Sequence, residues 1–98
     1  MNRYFSAAER QGCESGLEPA RRLAGCLAAK EAFLKALGEG VLGPIALVEI
    51  EVVRGGDGPP CLRLGASATS AMRAAGRRRA LLSLAGDETR AMAFVLLD

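Results

Sequence analysis

The sequence contains no histidine and no tryptophan, and its aromatic residues are one Tyr and three Phe. Without histidine there is no Ser-His-Asp or Cys-His catalysis, no His-ligated zinc and no imidazole base working near neutral pH. Without large aromatic anchors the core must be aliphatic, although half of the 98 residues are hydrophobic. Cysteines are few, and Cys13, Cys26 and Cys61 are odd in number and widely spaced. They form neither a disulfide framework nor a C-x-x-C metal site, so reduced thiols in a cytoplasmic protein are expected. No apolar run approaches the ~18 residues of a membrane span, and no basic stretch followed by an apolar one opens the chain. A soluble protein with no membrane partner is expected. A dominant charge is also missing: 13 basic against 11 acidic residues give a net charge of +2. With no basic stripe interleaved with aromatics, nucleic acid is not an expected partner.

What is present has the size of one small domain, residues 1–98, with no internal repeat or linker. A chain this short buries roughly 60–65% of the surface it exposes when unfolded. Such a small, Ala-rich core favours help from partner subunits. Ser6 with Glu9 three residues on forms a capping-box pattern for a short helix through Cys13. Pro19 to Leu37 reads as a long helix, with Pro in a tolerated first-turn position and Gly38 as a left-handed cap. Leu23, Leu27, Leu34 and Leu37 recur along one side of it, and the alanines between them smooth its flanks. A helix so apolar around its circumference is expected to be central and covered on more than one side.

After Gly43-Pro44 the period changes to two. Ile45 to Val53 reads as a strand with Val48, Ile50 and Val52 on one face and Glu49 and Glu51 on the other. A Gly-rich turn leads to a short strand over Cys61–Leu64. Ser67 to Ala75 reads as a helix stopped by Gly76. Arg79 to Ala85 and Ala91 to Leu97 form a closing hairpin. The expected class is α+β, an antiparallel sheet packed on a long central helix.

The chemistry-bearing residues gather on that helix. Glu31 and Lys35 lie four apart and share one face. Two readings stand side by side: an i,i+4 ion pair worth a few tenths of a kcal/mol, or a carboxylate and an ammonium set out for a phosphate-bearing ligand. Gly38 reads first as a helix cap, and second, with Gly40, as a loop that lets a ligand approach the backbone. Arg77, Arg78 and Arg79 read as a solvated charge run or as a grip for an anion.

Ala28-Ala29-Lys30-Glu31-Ala32-Phe33, followed by Lys35-Ala36 and Gly38-x-Gly40, resembles the signature helix of the phosphopantetheinyl transferases, in the short holo-acyl-carrier-protein synthase class. The likeness continues through Gly58-Pro59-Pro60 and the final hairpin. It implies transfer of 4'-phosphopantetheine from coenzyme A to a serine of an acyl carrier protein. It further implies Mg²⁺ held by Glu31, catalytic roles for Glu31 and Lys35, coenzyme A contacts from Lys30, Lys35, Gly38 and Gly40, and a homotrimer. Family members open with a strand whose Gly-x-Asp motif supplies a second carboxylate to the metal. This sequence is expected to lack that strand, and with it part of the metal site. A metal site with one carboxylate fewer is expected to be weakened. The alternative that follows is a repurposed homologue, inactive as a transferase, that binds a carrier protein or its pantetheine-linked intermediate.

Overall fold

The computed structural model describes residues 5–6, 9, 19–38, 45–53, 59–86 and 90–98. Its elements are helix α1 (Pro19–Leu37), a 3₁₀ turn (Leu47–Glu49), strands β1 (Ile50–Val53) and β2 (Cys61–Leu64), helix α2 (Ala66–Ala74), and strands β3 (Ala80–Gly86) and β4 (Ala91–Leu97). Among the described residues the strands make two antiparallel hairpins, β1 with β2 and β3 with β4, instead of one continuous sheet. Helix α1 packs most extensively on β4 and also on β1 and β3, so the expected central position holds.

The helix limits follow the local signals. Pro19 stands first in α1, where its missing N–H costs nothing. Gly38 ends it with φ +81, and its N–H returns to the Lys35 carbonyl at 3.0 Å. Of the leucine row, the face that α1 buries takes only Leu34 fully. Its buried residues are Cys26, Ala29, Lys30, Phe33 and Leu34, a stripe at the spacing of successive turns, while Leu23, Leu27 and Leu37 flank it half-buried. A lysine therefore sits in the middle of the apolar face.

The strand expected over Ile45–Val53 is corrected in its first half. A 3₁₀ turn occupies Leu47–Glu49, and the alternation changes phase there. Leu47 takes the buried position, Val48 points outward, and Ile50 and Val52 resume the buried row on β1. The turn also frees Glu49 to cap α2. The helix N-cap is Gly65, which has no side chain to offer, so Ser67 N donates to Glu49 Oε1 at 2.9 Å instead.

Phe33, Leu34, Ile45, Leu47, Ile50, Ala68, Met72 and Leu97 form the main core, all aliphatic but Phe33. In the closing hairpin, residues alternate between half-buried and exposed. The register pairs Leu81 with Leu96, Ser83 with Phe94 and Ala85 with Met92 on the outer face. That face is apolar: Leu81, Met92, Phe94 and Leu96 are 47 to 64% exposed.

Candidate active site

A groove of about 400 Å³ runs between α1 and β4, lined by Ala28, Glu31, Ala32 and Lys35 from the helix and by Ala91 to Phe94 from the strand. Four consecutive strand residues, drawn from both faces, line it, so the edge of β4 borders the groove. Its volume suits a small ligand. Only Glu31 and Lys35 bring charge to it, and alanines keep the rest smooth and apolar.

The helix turn that separates Glu31 from Lys35 sets both side chains over the same opening. Among the described residues the ion pairs are Lys30–Glu9, Arg63–Glu51 and Arg79–Asp98. Glu31 and Lys35 make none with each other, so the simple ion-pair reading is not what the structure displays. A carboxylate and an ammonium one turn apart, neither neutralised by the other, can share a phosphate-bearing ligand. The ammonium can meet phosphate oxygens directly, and the carboxylate can do so through a cation.

Lys30, expected among the cofactor contacts, is placed away from the groove. Its ammonium is fully buried and donates to Glu9 Oε1 at 2.9 Å, to the Leu47 carbonyl at 2.8 Å and to the Ile50 carbonyl at 2.6 Å. Those three bonds use all three donors of the group. The Phe5 ring adds a cation–π contact, its centroid 5.6 Å from Nζ. Gly38 is the C-terminal cap of α1, with open space where a Cβ would stand. Gly40 lies outside the described residues.

Sequence reasoning placed Glu9 in a capping box but missed its tie to Lys30. The capping box is there, with Ser6 N donating to Glu9 Oε1 at 3.0 Å and Glu9 N to Ser6 Oγ at 3.1 Å. The same carboxylate also receives Lys30, and its Oε2 accepts from Val52 N at 2.6 Å. The available signal was Lys30 itself, a cation three and four residues from Phe33 and Leu34 on the buried stripe. A buried cation needs a carboxylate. Next to this network, the Ser6 hydroxyl bonded to Glu51 and the Arg63 guanidinium beside it hold the Glu51 carboxyl below the ordinary glutamate value, against the opposing effect of burial.

The arginine run does not converge on the groove. Arg79 pairs with Asp98, while Arg77 and Arg78 border a second, open cleft with Arg63 and Arg73. These side chains are exposed, and Arg73, Arg77 and Arg78 follow one another around the C-terminal end of α2, where cations are favoured without any ligand.

The fit of Mg²⁺ to this donor set is a matter of oxygen count. No group of three or more His, Cys, Asp or Glu side chains is placed to hold a metal among the described residues. Glu31 can contribute one carboxylate, and Mg²⁺ is commonly held by one or two carboxylates together with substrate phosphates and water. The groove fits an ion shared with a phosphate ligand, not one caged by protein alone.

A helix bearing Lys-Glu-x-x-x-Lys, packed on an antiparallel hairpin beside a groove of small-ligand size, resembles the arrangement of a phosphopantetheinyl-transferase fold. The chain belongs to the 4'-phosphopantetheinyl transferase superfamily, whose family model matches residues 1–94. A holo-[acyl-carrier-protein] synthase of Trichlorobacter lovleyi is 40% identical over 98 residues, the whole of this chain and 78% of the relative. One from Thiobacillus denitrificans is 36% identical over 97 residues, 99% of this chain and 74% of the relative. Among solved structures, the holo-[acyl-carrier-protein] synthase of Neisseria meningitidis superposes with a TM-score of 0.87 at 29% identity, over 98% of this chain and 77% of that one. An ACPS–CoA complex from Chronobacterium ammoniagenes superposes with a TM-score of 0.84 at 31% identity, over 97% and 77% of the two chains. No helix among the described residues is long and apolar enough to cross a membrane.

Proposed function

We propose that this chain is a cytoplasmic holo-acyl-carrier-protein synthase, moving 4'-phosphopantetheine from coenzyme A to a serine of an acyl carrier protein. The observation that carries the reading is the groove between α1 and β4, where Glu31 and Lys35 stand unpaired with each other over an alanine-lined trough. Lys35 binds and orients the pyrophosphate of coenzyme A by charge, and the alanines of α1 and β4 accept the apolar parts of the ligand while excluding water. Glu31 would hold Mg²⁺, which would supply charge neutralisation to the pyrophosphate. The serine oxygen forms a bond to the phosphorus that carries the pantetheine arm. The bond from that phosphorus to the bridging oxygen breaks, adenosine 3',5'-bisphosphate leaves, and the serine proton passes to solvent. Catalysis of this kind rests on positioning and charge neutralisation, which suits a site without histidine.

The chain acts as a homotrimer in this reading. The outer face of the closing hairpin supports it: Leu81, Met92, Phe94 and Leu96 form an exposed apolar strip on a small protein, the mark of an interaction surface. The strip adjoins the groove, because Met92 and Phe94 belong to both.

The reading is tested by incubating the protein with apo-carrier protein, coenzyme A and Mg²⁺ and weighing the carrier protein by intact mass spectrometry. Addition of the phosphopantetheine arm is the expected result, and an unmodified carrier protein under conditions where the Trichlorobacter lovleyi relative works would end it. Sedimentation tests the assembly: a trimer is expected, and a well-folded monomer at working concentration would contradict it.

A further inference from the structure

We propose that Lys30 and Glu9 are positioning residues for the groove: their buried ion pair sets the rotation of α1 about its axis, and so the direction in which Glu31 and Lys35 enter the site. The proposal rests on the reading of the groove as the transfer site. Successive residues of an α-helix are turned by about 100°, so with Lys30 on the buried stripe Glu31 falls at its margin, on the side of β4. The Lys30 ammonium, held by Glu9 Oε1, Leu47 O and Ile50 O, ties this face of the helix to the 3₁₀ turn and limits its rotation.

On the N-terminal side of Lys30 the packing is among small side chains, and there the hydrogen bonds add angular definition that packing lacks. One turn before Lys30 the stripe carries only Cys26, with Ala29 beside it, while Phe33 and Leu34 pack one turn after it. The fixed acceptors are backbone carbonyls at the two ends of the 3₁₀ turn, and Glu9 is held in turn by Val52 N and Ser6 N. Hydrogen bonds to such anchors are directional, whereas contact among small apolar groups is not. A side-chain tip lies about 5–6 Å from the helix axis, so a rotation of about 20° would carry the Glu31 carboxylate about 2 Å. A displacement of about 1 Å at a reacting centre can cost on the order of 10²-fold in rate. The pair is thereby linked to the reaction without touching the ligand.

The test uses Glu9→Gln and the double variant Glu9→Gln/Lys30→Met, which removes both charges and leaves an acceptor for Val52 N. Melting temperature, steady-state transfer kinetics and NMR contacts from the Glu31 methylenes to the Ala91 and Ala93 methyls are measured on each. The expected result is a folded double variant whose Glu31 contacts weaken, and whose KM for coenzyme A rises on the order of 10-fold to 100-fold together with a fall in kcat. Glu31→Gln serves as the comparison, losing transfer with its contacts intact. A folded double variant that keeps the native contacts, kcat and KM would overturn the proposal. If the double variant does not fold, Glu9→Gln with native contacts and KM would overturn it as well, leaving the pair a purely structural tie. Absence of transfer by the unaltered protein would sink the functional reading alone, and the NMR contacts would still decide this one.

Discussion

Lys30 and Glu31 are neighbours in the chain, yet α1 sends them to opposite environments. On one side of the helix Lys30 is sealed among Glu9, two backbone carbonyls and the Phe5 ring. On the other, Glu31 and Lys35 border an open groove against β4 without closing on each other. The sealed side has every polar group satisfied inside the fold; the open side leaves its charges for something else to satisfy. Two adjacent charges of one motif thus divide into a sealed half and an open half, separated by the 100° step between successive helix residues once Lys30 is held in the core.

The largest effect is expected on the sealed side. Lys30→Met leaves the Glu9 carboxylate buried without its cation, a change that costs roughly 3–5 kcal/mol. Denaturant unfolding should record that loss, and a loss under 1 kcal/mol would mean that the pair contributes little to the fold. Next in size is Glu31→Gln, expected to lower transfer by on the order of 10²-fold or more through the lost metal ligand. Its unfolding midpoint should stay native, since Glu31 makes no ion pair among the described residues. If it instead unfolded early with little change in rate, the two faces would have exchanged roles.

Lys35→Met sharpens the open side further. One charge-assisted contact to phosphate is worth about 1.5–3 kcal/mol, so the KM for coenzyme A should rise about tenfold or more. As Lys35 is exposed, stability should move by no more than about 0.5 kcal/mol. A native KM would remove Lys35 from the site. The smallest effect belongs to Glu51, at the margin of the sealed network. Its carboxyl sits below the ordinary value of 4.5 in the fold, chiefly through the Ser6 hydroxyl and also through Arg63. The folded state therefore holds the ionised form preferentially. The stability this confers is complete above the ordinary value and fades as falling pH protonates the group. Glu51→Gln should flatten the acid limb of the stability curve, and an unchanged limb would assign acid sensitivity to other carboxylates.

Much of this architecture could be read before the coordinates, for reasons tied to particular residues. Pro19 and Gly38 bracket α1 because one needs no N–H bond and the other accepts φ +81. Cys61–Leu64 and Ala91–Leu97 stand where their β-rich runs place them. The strand before Glu51 was misread because a period of two cannot register a 3₁₀ turn. There the buried residues are Leu47 and Ile50, three apart, and Val48 is turned out. The groove was legible in part, since Glu31 and Lys35 share a face by spacing alone. Its other wall was not, because the partner of α1 comes from β4, some sixty residues further on, and local sequence carries no record of that approach. Lys30 was assigned to the cofactor because a cation in a phosphate-binding motif invites that role. Only the position of its three acceptors, one of them twenty-one residues earlier in Glu9, reveals that its charge is already spent.

The division of α1 into a sealed face and a reactive face is tested most directly by titrating isotope-labelled protein with coenzyme A in the presence of Mg²⁺ and following individual NMR signals. The largest shifts are expected at Glu31, Lys35 and the Ala91–Phe94 amides, with the Lys30 ammonium and the Val52 amide nearly unmoved. Shifts concentrated at Lys30 and Val52, with Glu31 and the β4 edge silent, would contradict it.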